Sequence, residues 1–229
     1  MPILSGESTA AAAKPASARR LRRIARNALF PLMLAGSLLP SASFAQHAPV
    51  RSLLEMRHQN VVIQKWDLSC GAAALTTLLN YEYGLNLTEK EVAVMLMHRP
   101  EYIDHPELIQ IREGFSLLDL KRYSDAIGYK GVGLGKMELK DLVKKAPALV
   151  PIQVNGYNHF VVFRGMRGNR VLLADPAWGN RTVLTQDFLD SWIDYPKLGK
   201  VAFLVERRDG TTPDTSALTP HGNDYVMLR

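Results

Sequence analysis

The period of the apolar positions changes near residue 148. From residue 70 to about 145 they recur at helical spacing, whereas from 148 to 206 they form short strand-like runs rich in Val, Ile, Leu and Phe. The small-residue run that opens at Cys70 predicts a first helix to Tyr83, stopped by Gly84. Thr88, with Glu91 three positions on, is a capping-box signal for a second helix to about His98. Ser116 opens a third, from Leu117 to Ile127, and a short fourth covers Glu138 to Lys145. Between the second and third helices lies a long polar connection, His98 to Gly114, which contains Pro100 and Pro106. Strands are predicted at Ala148–Val154, His159–Met166, Val171–Ala174, Asn180–Leu184 and Lys200–Glu206, with a hairpin turn at Arg167-Gly168-Asn169 and a helix at Gln186–Ile193. Helices followed by an antiparallel sheet make an α+β protein.

Composition separates the first 45 residues from the rest. Arg19, Arg20, Arg22, Arg23 and Arg26 precede an apolar stretch from Ala28 to about Leu39, followed by small residues up to Ala45. This is the layout of a signal peptide, and the apolar stretch is short for a membrane span. We therefore expect residues 1–45 to be a signal peptide and the protein to be exported to the periplasm; a retained anchor is the alternative. The charge picture changes with it. Residues 1–45 hold six of the 28 Lys and Arg and one of the 22 acids, which leaves 22 basic and 21 acidic residues. A nearly neutral remainder offers no electrostatic footprint for nucleic acid. Residues 46–208 are expected to form one domain, with 46–52 extended and a polar, turn-rich, loosely ordered tail at 209–229.

Candidate chemistry centres on Cys70, the single cysteine. It sits where a helix opens, and the free N–H groups there favour a thiolate, the nucleophilic form. A lone thiol forms no internal disulfide, and in an oxidising compartment an idle accessible thiol is a liability. A buried structural cysteine is the competing explanation. His159 begins an apolar strand after the turn-like Asn155-Gly156-Tyr157-Asn158, so its ring is placed at a strand mouth as a candidate base. Asp175 ends the next strand. With the turn near Gly168, the two lie nine residues before it and seven after, at the same end of an antiparallel ladder. Asp175 would orient the imidazole; Asn180 and Asp187 are alternative partners. Gln64, six residues before Cys70, carries an amide able to donate to an oxyanion together with the Cys70 N–H. Trp66 and Trp178 lie beside these motifs and, with Asp67 and Asn158, are candidates for a substrate groove; Trp192 belongs to the core. Neither CxxC nor HExxH spacing is present. The run Gly131-Val132-Gly133-Leu134-Gly135 lacks the Walker and Rossmann spacings and reads as a strand edge or turn, so no metal or cofactor is expected.

Several spaced blocks together resemble the C39 family of cysteine peptidases. Gln64, Asp67, Ser69, Cys70, Gly71 and Ala74-Leu75 look like its nucleophile motif, and Gly114-Phe115-Ser116-Leu117 with Leu120 and Gly128-Tyr129 its central helix. Asn158-His159-Phe160-Val161-Val162 resembles its histidine motif, and Leu173-Ala174-Asp175-Pro176-Ala177-Trp178-Gly179 its aspartate motif. The resemblance implies a papain-like fold, with Cys70 as nucleophile, His159 as base and acid, Asp175 as orienter and Gln64 as oxyanion donor. Many members are fused to ABC exporters and cut after a Gly-Gly pair. No transporter segment is legible here and the signal points outward, so the chain looks like the stand-alone exported members, including those that accompany functional-amyloid secretion. The expected partner is a protein or peptide substrate of such a system. A peptide-binding accessory or chaperone that keeps the fold, and an amidase or acyltransferase, are the competing functions.

Overall fold

The computed structural model describes residues 51–225, so the expected signal peptide at 1–45 and the last four residues of the tail lie outside the described residues. Helices α1 (Leu53–His58), α2 (Cys70–Tyr83), α3 (Glu89–Met97), α4 (Pro100–Asp104), α5 (Leu108–Ile111) and α6 (Leu117–Ala126) precede strand β1 (Tyr129–Leu134). Helix α7 (Leu139–Lys144) leads into β2 (Ala148–Val154), β3 (Tyr157–Arg167), β4 (Arg170–Asp175) and β5 (Gly179–Leu184). Helix α8 (Thr185–Ser191), the small pair β6 (Asp194–Tyr195) and β7 (Gly199–Lys200), and β8 (Ala202–Arg207) complete the order. The main sheet is antiparallel in the order β1-β8-β2-β3-β4-β5.

Local signals account for most element ends. Thr88 and Ser116 each accept the N–H of the residue three positions on, whose carboxylate in turn accepts the cap N–H. The connection at 98–114 departs from the expected loop, since it contains α4 and α5. The reason is tertiary: Tyr102 of α4 is buried against Phe115, and Arg99 pairs with the buried Asp119 at the start of α6. Helix α1, in a region without a helical period, rests on a capping box between Ser52 and Glu55. The glycine-containing run at 131–135 supplies most of an edge strand, β1, paired on one side with β8.

The sheet is buried on both faces, which is why β2 reads as a continuous apolar run. On one face Leu149, Val162, Ala174 and Phe203 pack under α2, α3 and α6; on the other Val150, Ile152, Val161, Phe163, Val171 and Leu173 pack under α7 and α8. One irregularity breaks the alternation. Between Phe163 and Gly165 the ladder with β4 shifts by one residue, which makes Arg164 the extra residue of a bulge. The bulged Arg164 is itself buried and donates Nε–H to the Leu218 carbonyl and Nη1–H to Asn180 Oδ1.

The tail departs from the loose segment expected from its composition. Leu218 is fully buried in the core beneath α2, the Ala217 N–H donates to the Tyr81 carbonyl, and the Asn60 amide donates to the Ala217 carbonyl. Polar composition hides this anchor because one apolar side chain and a few backbone bonds carry it. Leu218→Ala should therefore behave as a core deletion and lower unfolding stability by about 2–4 kcal/mol. Urea denaturation checks this, and a loose tail would leave the midpoint unchanged.

Candidate active site

Helix α2 brings Cys70 to the sheet because its first turns have almost no side chains. Ala72, Ala73 and Ala74 are fully buried, and a Cβ at Gly71 would come within 3.2 Å of the Phe160 ring. A larger residue at 71 would lever the helix start away from Phe160, the neighbour of His159. Cys70 is 5% exposed and opens the helix, so its N–H is one of the donors that the helix leaves unpaired.

The loop before it is stapled at both ends by one side chain. Glu89, the buried first residue of α3, accepts the Lys65 N–H on both oxygens at 3.0 Å and contacts the Ser69 hydroxyl at 2.5 Å. Its carboxylate thus ties the neighbour of Gln64 to the neighbour of Cys70. The Gln64 N–H donates to the Pro176 carbonyl at 2.8 Å, which joins this loop to the segment after Asp175. The Gln64 amide Nε2 rests on the Trp66 carbonyl at 3.3 Å, and its Oε1 is buried without a hydrogen-bond partner. Gly114 lies against the same loop at φ 121°, where a Cβ would come within 2.8 Å of the Leu68 carbonyl oxygen.

His159 is the third residue of β3, since the strand begins at Tyr157, two residues before the expected start at His159. Its Nε2 lies 2.7 Å from Asp175 Oδ1, and the Cys70 side chain is near enough to raise the basicity of the ring. The bulge at Arg164 makes the pairing with Asp175 possible. From the turn outward Arg167 pairs with Arg170 and Met166 with Val171; beyond the bulge Val162 pairs with Ala174. Continued by one residue, this register sets Asp175 opposite Val161, diagonal to His159 and on its face. Without the extra residue Asp175 would oppose Val162 and point to the other face. The two do share an end of the ladder, as turn counting indicates, but the bulge decides the face.

Asp175 is fully buried. Its Oδ1 also accepts the Ala177 N–H at 2.9 Å, and its Oδ2 accepts Arg181 Nε–H at 2.8 Å. Burial works against the charged forms of both partners but is outweighed. The Asp175 carboxyl is held below its ordinary value by the His159 hydrogen bond and charge, Arg181 and the Ala177 N–H. His159 is pushed up to about 9 by its hydrogen bonds to Asp175 and Cys70 and by their charges.

Cys70, His159 and Asp175 are therefore brought together, and Gln64 is anchored to the aspartate loop. The alternatives to Asp175 are engaged elsewhere: Asn180 donates to the Met56 and Gln59 carbonyls, and Asp187 is exposed on α8. Two cavities meet at Phe115. One, of about 620 Å³, is lined by Asn158, His159, Phe160 and Leu117; the other, of about 540 Å³, by Trp66, Asp67, Leu68 and Met97. Trp178 is 65% exposed and lines neither. Sequence reasoning missed Glu89, Glu113, whose carboxylate accepts the Asn158 N–H at 3.0 Å, and Arg181. Only Arg181 had a legible signal, two residues beyond Gly179 in a strand paired to Asp175. Among the described residues no cluster of His, Cys, Asp and Glu is arranged to hold a metal ion.

The profile of the Peptidase C39 family matches residues 58–196. The "Probable functional amyloid protease FapD" of Pseudomonas aeruginosa is 37% identical over 165 residues, covering 71% of this chain and 67% of that protein. The protein of the same name from Pseudomonas fluorescens is 38% identical over 145 residues, covering 62% of this chain and 61% of its own length. Among solved structures, the peptidase domain of Streptococcus ComA, a bi-functional ABC transporter involved in quorum sensing, superposes with a TM-score of 0.52 at 17% identity. That match covers 66% of this chain and 100% of the domain, and it shows a shared papain-like α+β fold.

The His159 shift sets a pH dependence of stability. An imidazole that is more basic in the folded chain than in the unfolded one stabilises the fold fully below pH about 6.5, and the contribution is lost as pH rises through about 9. The loss amounts to about 3 kcal/mol at most. Urea midpoints should fall between pH 6 and pH 9.5 in the wild type and fall less in Asp175→Asn. Parallel curves for the two proteins would contradict this origin.

Proposed function

The chain belongs to the peptidase C39 family, and we propose that it is an exported cysteine peptidase that cuts a protein of an export or functional-amyloid assembly system. The observation that carries this reading is the His159 imidazole paired with the buried Asp175 carboxylate, with the Cys70 thiol at the start of α2 close enough to raise its basicity. The family membership supports peptide-bond hydrolysis, the FapD relatives support an amyloid substrate, and the arginine-rich, apolar start of the chain supports a periplasmic location.

In this mechanism the Cys70 proton resides on His159, and the thiolate attacks the carbonyl carbon of the scissile bond. The carbonyl π electrons move to oxygen as the C–S bond forms. The Cys70 N–H at the helix start and the Gln64 amide receive that oxyanion, for which the amide leaves its resting contact with the Trp66 carbonyl. The imidazolium then protonates the leaving amine as the C–N bond breaks, and a thioester remains. Water, deprotonated by His159, attacks the thioester; the thiolate departs and the acid is released. Asp175 keeps Nε2 engaged throughout, which leaves Nδ1 to serve the sulfur and the leaving group. Apolar cavities on both sides of Phe115 suit a segment with apolar side chains flanking the cut.

The test compares wild type, Cys70→Ala and His159→Ala in the native host or a reconstituted export system, by mass spectrometry of co-exported proteins. New termini should appear with wild type only, and in assays of purified protein each substitution should lower cleavage by about three orders of magnitude or more. Identical termini and unchanged secretion in all three would overturn the peptidase reading in favour of a peptide-binding accessory.

A further inference from the structure

We propose that Arg181 is a positioning residue of this site: its guanidinium locks the Asp175 carboxylate in the plane that serves His159 and sets the charge balance of the Cys70–His159 pair. The inference deepens the peptidase reading and rests on it for its place in catalysis, but its test needs no peptide substrate.

The geometry is a diagonal on each side of one strand. Asp175 lies on β4, between β3 and β5. His159 is its diagonal neighbour on β3. On β5 the residue directly opposite Asp175 is Gly179, and the residue opposite Leu173 is Arg181. Leu173 and Asp175 point to the same face, so Arg181 is the second diagonal neighbour. At Gly179 a Cβ would come within 2.5 Å of the Arg57 carbonyl oxygen, so only glycine fits where α1 meets this strand. The bare Gly179 admits the α1 backbone at this point, and beside it Arg181 Nε–H donates to Oδ2 at 2.8 Å, while Oδ1 serves His159 and the Ala177 N–H.

Two consequences follow from ordinary electrostatics. A carboxylate held at one oxygen swings about its Cβ–Cγ bond; anchored at both, it keeps the in-plane lone pair on His159 Nε2. A guanidinium is also charged at every relevant pH, so it is a fixed positive charge beside a buried cluster. Around the cluster stand Cys70 from α2, His159 from β3, Asp175 from β4, Arg181 from β5, and Glu113, whose carboxylate binds the Asn158 N–H. Helix α1, packed on β5, carries Arg57 and His58. Removing one fixed positive charge makes every nearby group hold its proton more tightly. Formation of the reactive thiolate and loss of the imidazolium proton then both occur at higher pH. A residue that merely braced the fold would change the height of the profile and leave its midpoints in place.

The experiment measures the second-order rate of iodoacetamide alkylation from pH 4 to 10, followed by intact mass, for wild type, Arg181→Gln and Arg181→Lys. Cys70 is the single thiol, so the reading is unambiguous. Arg181→Gln should move both midpoints upward by about one pH unit. Arg181→Lys, which keeps the charge and loses the planar fork, should hold the midpoints near wild type and lower the plateau rate several-fold. Unmoved midpoints in a folded Arg181→Gln would overturn the proposal. Should that variant fail to fold, a wild-type profile for Arg181→Lys overturns it instead. Shifted midpoints in a protein that leaves every co-exported chain intact would sink the peptidase reading and keep the role of Arg181; cleavage with unmoved midpoints would do the reverse.

Discussion

A carboxylate removed from water must be paired, and Asp175 has no solvent at all. Its pairing organises the surrounding structure. His159 on one neighbouring strand, Arg181 on the other and the Ala177 N–H in the following turn share its two oxygens. The sheet register must bring those groups within reach, the turn at Pro176 must follow directly, and helix α2 must deliver Cys70 close to the imidazole. Breaking one partner leaves a buried charge short of its compensation, which is costly, so the arrangement is held collectively.

Two features away from the site hold that register. The bulge at Arg164 turns Asp175 to the face of His159, and Arg164 is in turn held by the Leu218 carbonyl and Asn180. Asn180 also grips the carbonyls of Met56 and Gln59. The C-terminal segment, the residues around α1 and the bulge thus meet behind the strand pair that carries His159 and Asp175. The other half of the site depends on a different staple. Glu89 joins both ends of the loop from Lys65 to Ser69, so the helix start and the Gln64 segment move as one piece. Two short, buried hydrogen-bond systems therefore position the thiol and the imidazole on separate elements, and the small residues of α2 let those elements meet.

Element limits marked by local chemistry were legible in advance. The Thr88–Glu91 and Ser116–Asp119 caps start their helices where side-chain geometry dictates, and α2 spans Cys70–Tyr83 as its small-residue run and Gly84 indicate. Helices α4 and α5 were not, because Tyr102 and Arg99 find their partners in residues from Phe115 to Asp119, after the chain has turned back. The same holds for the tail, where Leu218 becomes a core residue through contacts with α2 that no local pattern announces.

Residue types and their order along the chain were enough to nominate Cys70, His159 and Asp175, because a lone thiol at a helix start and a hairpin with His and Asp near one end are local facts, whereas Gln64 rested on the family resemblance. Which face each side chain takes was decided only on folding. A single extra residue at 164 inverts the parity of the ladder, and parity is a property of two paired strands rather than of either alone. The partners Glu89 and Arg181 were likewise decided by packing, since the burial that makes a carboxylate or guanidinium matter exists only when distant segments close over it.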